Sequence, residues 1–258
     1  MWRNVRILFL LVILAIAALT TLQDRIRTTS WEKTVWIGVF PINAEGDAAT
    51  AAYIDKLTPE RIADIEQFIN REAHRYGIAP DRPVRVDLYP RVSEKPPPLA
   101  RDANALERAW WSLKLRLYAR RASQAPGRAP PTIRVFVLYH DPTYTQSVPH
   151  SVGLQKGLVG VVHAFADASM TRTNNVVIAH EILHTVGATD KYDPESLAPI
   201  YPIGYAEPER EPRFPQSLTE IMAGRYAVND HTFEMPDTLA DVRVGPATAL
   251  EIRWTKPK

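Results

Sequence analysis

The chain has no cysteine at any of its 258 positions. Disulfides, thiolate metal ligands, a thiol nucleophile, lipoprotein anchoring and a thiol-based latency switch are all excluded. The compartment is left open, because a chain without thiols works in either redox environment. An excess of one charge sign is also missing: 31 Lys and Arg stand against 29 Asp and Glu, a net +2. No run of cations interleaves with aromatics, so no nucleic-acid partner is expected. Internal repeats and low-complexity tracts are absent. What remains has the length of one ordinary domain or two small ones.

One apolar run stands apart from the rest. Arg3 and Arg6 precede "ILFLLVILAIAALTTL" at 7–22, which is marginal in length for a bilayer core about 30 Å thick. Two readings fit residues 1–23. The first is a cleavable signal peptide, with Ala15-Ile16-Ala17 as the small-residue cleavage site. The second, preferred, is an uncleaved membrane anchor with a cytoplasmic N-terminus. Arg3 and Arg6 favour that orientation, and Arg25 and Arg27 weaken it. Either way residues 24–258 are expected outside the cytoplasm, anchored or released.

From about Trp31 the periodicities alternate. Strands are predicted at 34–40, 84–89, 133–139 and 157–165. A helix is predicted over 58–77, with Thr58 as cap, Pro59 at its first position and a stripe of Ile62, Ile65, Ile69, Ala73 and Tyr76. A second begins near Asp102 and is expected to bury Leu106, Trp110, Leu113 and Leu117. A short one is expected near Pro246. The order argues for an α/β fold, a mostly parallel twisted sheet covered by helices, with the last strand antiparallel at the edge.

The segment "NNVVIAHEILHTVGATDKYD" at 174–193 carries the chemistry. Asn174 or Asn175 is placed to cap a helix whose stripe is Val176, Ala179, Leu183 and Val186. His180 and His184 then lie one turn apart on one face, where one ion can take both imidazoles. Glu181, about 100° away, can accept a proton from a water that the ion activates. Gly187 ends the helix in a left-handed conformation, and the returning chain brings Asp190 within reach as third ligand.

"HEILHTVGATD" resembles the HExxHxxGxxH signature of the metzincin metallopeptidases, with Asp in the third-ligand place as in the snapalysin branch; Asp190-Lys191-Tyr192 also resembles that branch. The resemblance implies a zinc endopeptidase acting on peptide or protein substrates. It implies a methionine turn beneath the metal, for which Met222 in "LTEIMAGRY" is the match, and auxiliary roles for Tyr192 or Tyr226. It further implies a substrate-pairing edge strand, assigned to Gly160, Val161, Val162 and His163, within an N-terminal subdomain at 31–187 and a C-terminal subdomain at 188–258. Asp193 is a rival third ligand. Under another HExxH clan, Glu207, Glu209, Glu211 or Glu220 would take that place. A non-catalytic envelope binding protein is the remaining alternative. Nothing in the sequence indicates a structural calcium site.

Overall fold

Along the strand Ile133–His140 successive side chains point to opposite faces, and both faces are buried. Ile133, Val135, Val137 and Tyr139 join one apolar cluster, and Phe136 and Leu138 join another. A strand apolar on both faces belongs in the middle of a sheet covered on both sides. The computed structural model, which describes residues 2, 6, 7, 28–100, 102–155 and 157–256, places it there. We name this strand β3, with β1 at Val35–Asn43, β2 at Val84–Leu88, β4 at Val152–Leu154 and β5 at Val159–Phe165.

The sheet runs β2-β1-β3-β5-β4. The first four strands are parallel, and β4 is antiparallel to β5. An antiparallel edge strand was expected, but the residues assigned to it were not these. Gly160 and Val161 are paired on both sides, with β3 and with β4, so β5 is internal and β4 holds the edge. Three residues with no strong β-former pattern left too short a signal to detect.

Helices α1 (Ala48–Asp55), α2 (Ala63–Arg75) and α4 (Thr171–Thr185) cover one face of the sheet. Among the described helices α3 (Ala105–Ala122) alone packs on the other. The helix predicted over 58–77 is split: a 3₁₀ turn at Pro59–Ile62 leads into α2, and Ile62, Ile65, Ile69 and Ala73 are buried as expected. α3 begins at Asn104, which forms a reciprocal capping box with Glu107.

The phase of α3 is opposite to expectation. Trp111, Leu115, Tyr118 and Ala119 are buried, whereas Leu106, Trp110, Leu113 and Leu117 face outward. Both stripes are apolar, so periodicity alone had no means of choosing between them.

Residues 188–256 are mostly irregular. They carry the short ladders β6 (Thr219–Glu220) with β9 (Val242–Arg243) and β7 (Tyr226–Ala227) with β8 (Phe233–Glu234), then α5 (Pro246–Glu251). Met222, Val242, Ile252 and Trp254 join the same cluster as α2 and α4. Trp31 closes it, donating its indole N–H to the Ile252 carbonyl at 2.7 Å. The apolar run at 7–22 lies outside the described residues except for Ile7. Among the described residues no helix is long and apolar enough to cross a membrane.

Candidate metal centre

Helix α4 starts at Thr171, earlier than the asparagines suggested, so Asn174 and Asn175 are interior and buried. Their amides tie the helix down instead of capping it. Asn174 bonds both the N–H and the carbonyl of Phe165, and Asn175 donates to the Arg61 carbonyl and to Asp64. Val176, Ile178, Ala179, Ile182 and Leu183 are buried in the core. That fixes the rotation of α4 and turns His180 and Glu181 into a cleft, with His184 one turn further on.

His180 Nδ1 lies 2.8 Å from the Ile221 carbonyl, and His184 Nδ1 lies 2.8 Å from the Ala188 carbonyl. A nitrogen facing a carbonyl carries the proton, so the neutral rings both present bare Nε2 lone pairs. Those two atoms are 3.0 Å apart. Asp190 Oδ1 lies 3.2 Å from His180 Nε2 and 3.1 Å from His184 Nε2. Two lone pairs and a carboxylate oxygen thus converge on one point, an arrangement that calls for a cation. Ligands about 2.0–2.2 Å from a tetrahedral zinc stand roughly 3.3–3.6 Å apart, so the three atoms would take such an ion after spreading by a few tenths of an ångström. His180, Glu181 and His184 also bring one ligand atom each within 4.8 Å of one another, close enough to hold a metal.

Asp190 reaches the site through a helix ending of the expected kind. Gly187, at φ +111°, donates to the His184 carbonyl at 3.1 Å, and Ala188 donates to that of Leu183 at 3.0 Å. These are the two bonds of a Schellman motif. The loop is then pinned by Lys191, buried, whose Nζ contacts both carboxylate oxygens of Glu251 at 2.9 and 2.8 Å. Sequence patterning gave no sign of this clamp, because its partners are 60 residues apart.

The electrostatics follow from burial and neighbours. Burial alone would lower the His180 pKa, but Asp190, Glu181 and the Ile221 carbonyl outweigh it and hold the ring above its usual value. Burial pushes Asp190 up, and its bonds to the two imidazoles more than reverse this, leaving it well below the carboxylate range. Burial raises Glu181, against the pull of the two histidines. Its Oε2 is buried with no hydrogen-bond partner.

Met222 is fully buried one residue after the carbonyl that holds His180. Its turn is built on Glu220. The Oε2 of Glu220 accepts from the N–H groups of Met222 and Ala223, and its Oε1 accepts from Gly245 N and Thr248 Oγ1. Glu220 is thereby committed to the turn and unavailable as a ligand. Glu207 is occupied by Ser217, Leu218 and Arg210, and Asp193 by Glu195 and Ser196. Glu209 and Glu211 lie with Arg213 along a separate loop.

The cleft, of about 330 Å³, is lined by His163, Val177, His180, Glu181, Tyr192 and Arg225 among others. Tyr192 borders it, and burial with the nearby Asp190 and Glu181 charges raises its pKa. Tyr226 does not line it; its hydroxyl donates to Glu234 at 2.8 Å on the β7–β8 ladder. β4 crosses directly over α4: a Cβ on Gly153 would fall 2.5 Å from His184 Cβ. His163 enters the cleft wall bonded to a second histidine. Its Nδ1 is 2.8 Å from His140 Nε2, and His140 Nδ1 is 2.6 Å from Glu45 Oε1. This Glu45–His140–His163 chain was not foreseen, because its members come from three separate segments.

The chain matches no protein-family model and no curated protein sequence.

Proposed function

We propose that the chain is a metal-dependent hydrolase and, within that class, a zinc endopeptidase of the metzincin type. The observation that carries this reading is the convergence of two bare imidazole nitrogens and the Asp190 oxygen beside Glu181, whose buried Oε2 has no hydrogen-bond partner. Zinc bound there would supply a Lewis acid that polarises a carbonyl and lowers the pKa of water.

The remaining work belongs to the chain. His180, His184 and Asp190 hold the ion, and the carbonyls of Ile221 and Ala188 keep both rings in the right tautomer. Glu181 Oε2 takes a proton from the attacking water and passes it to the leaving amine, a role helped by its raised pKa. The outer side of β4 offers unpaired main chain for an extended peptide. Tyr192 and Leu197 wall the far side of the cleft. Residues 24–258 act outside the cytoplasm on this reading, held by or released from the segment at 1–23.

The test is Glu181→Gln in the full chain. Zinc content stays at one equivalent and cleavage of a peptide library falls by about 10²–10⁴-fold. A zinc-loaded wild type that cleaves no peptide would favour the non-catalytic envelope protein instead.

A further inference from the structure

The outward stripe of α3 needs a partner. Leu106, Trp110, Leu113 and Leu117 are 82%, 61%, 43% and 53% exposed, far more than isolated apolar residues at a protein surface require. Spaced four, three and four apart, they form one continuous ridge half a turn from the buried face of the same helix. Among the described residues no other helix covers this side of the sheet, and the ridge faces away from it.

Charge identifies the surface. α3 carries Arg108, Lys114, Arg116, Arg120 and Arg121 against one acid, Glu107. At 100° per residue, Lys114 and Arg121 flank the ridge on one side and Arg116 and Arg120 on the other. Beside Leu117 opens a cleft of about 490 Å³ lined by Lys95, Lys114, Arg120 and Arg121, with Glu94 the single acid. Glu94 is 3.4 Å from Arg121, and Lys95 donates to the Ala44 carbonyl. A second copy of the chain would bring the same cations against each other across a shared ridge, which opposes self-association. The inner face of α3 is apolar too and packs on the sheet, but its outward face sets an apolar ridge containing Trp between long cationic side chains, the groups that suit a membrane interface.

We propose that the outer face of α3 seats on an anionic lipid surface, with the ridge at the acyl boundary and the basic cleft taking headgroup phosphates. The inference is independent of the metal centre. It fixes which face of the domain meets the bilayer.

The absence of cysteine makes the test clean. A full chain carrying Leu113→Cys, and separately Leu250→Cys on α5 beneath the opposite face, is labelled with bimane. Each is reconstituted into phosphatidylcholine vesicles with or without phosphatidylglycerol, containing acyl-chain spin-labelled lipid. The expected result is quenching at position 113 at least about two-fold stronger than at 250 in the anionic vesicles. It falls towards the level at 250 in phosphatidylcholine alone, or when Lys114, Arg120 and Arg121 are changed to Gln; each cation is worth roughly five-fold in affinity near an anionic surface. Equal, weak quenching at both positions in anionic vesicles overturns the proposal. So does a bimane shift at 113 that tracks protein density in the bilayer without lipid quenching, which would assign the ridge to a second copy.

Discussion

Two histidine pairs lie along this domain, assembled from the same parts with opposite polarity. In each, imidazole nitrogens stand about 3 Å apart with a carboxylate close by: His180 and His184 with Asp190, and His140 and His163 with Glu45. In the second pair the carboxylate sits on the outer nitrogen. Glu45 accepts from His140 Nδ1, leaving His140 Nε2 to accept from His163 Nδ1. Every bond has one proton and the chain is satisfied without a cation. In the first pair both outer nitrogens donate to backbone carbonyls, and the carboxylate sits between the inner ones. No set of neutral tautomers satisfies that centre. Direction of hydrogen bonding, more than proximity of histidines, distinguishes a metal centre from a buried polar chain.

The largest effect is expected at Glu181, the base we propose beside the first pair. Glu181→Gln should lower peptide cleavage by about 10²–10⁴-fold with zinc retained, measured as turnover against metal content. Next comes the ligand set. Asp190→Ala should weaken zinc by more than about 100-fold, beyond what loss of an outer partner typically costs. Glu45→Gln should leave it within a few-fold, read by competition with a chelating dye.

A smaller effect is expected at the hinge. Gly187→Ala forces a side chain into φ +111°, with its Cβ 2.6 Å from Gln155 Nε2. It should destabilise the fold by about 1–3 kcal/mol, seen in denaturant melts, and loosen zinc by displacing Asp190.

The smallest concerns pH. Burial, then the neighbouring His140, lowers the His163 pKa to about 4 from an ordinary 6.5. The unfolded chain therefore takes up this proton first, so its contribution is complete above about pH 6.5 and is lost as pH falls towards 4. His163→Gln should flatten stability against pH in that window by about 1 kcal/mol after allowance for partial exposure. An unchanged slope would remove His163 from the buried neutral chain.

What could be read from the sequence follows the range of each interaction. The group His180, Glu181 and His184 is set within one helix, and the Gly187 reversal within one further turn, so spacing alone brought them together. The α3 phase was lost because Trp111, Leu115 and Tyr118 compete with Leu106, Trp110 and Leu117 on the same helix. β4 was lost because "VGL" is too short to show alternation. The long-range bonds of the Glu220 cradle, the Lys191–Glu251 clamp and the Glu45 chain join residues 23 to 95 apart, and local pattern says nothing of such pairs.

The His180–His184–Asp190 cluster needs a cation, and the decisive experiment is metal analysis of the purified full chain. One equivalent of zinc should be found in the wild type and in His140→Ala, and almost none in His180→Ala or His184→Ala. A wild type that takes up no ion, or an ion lost with His140 and kept without His180, would contradict it.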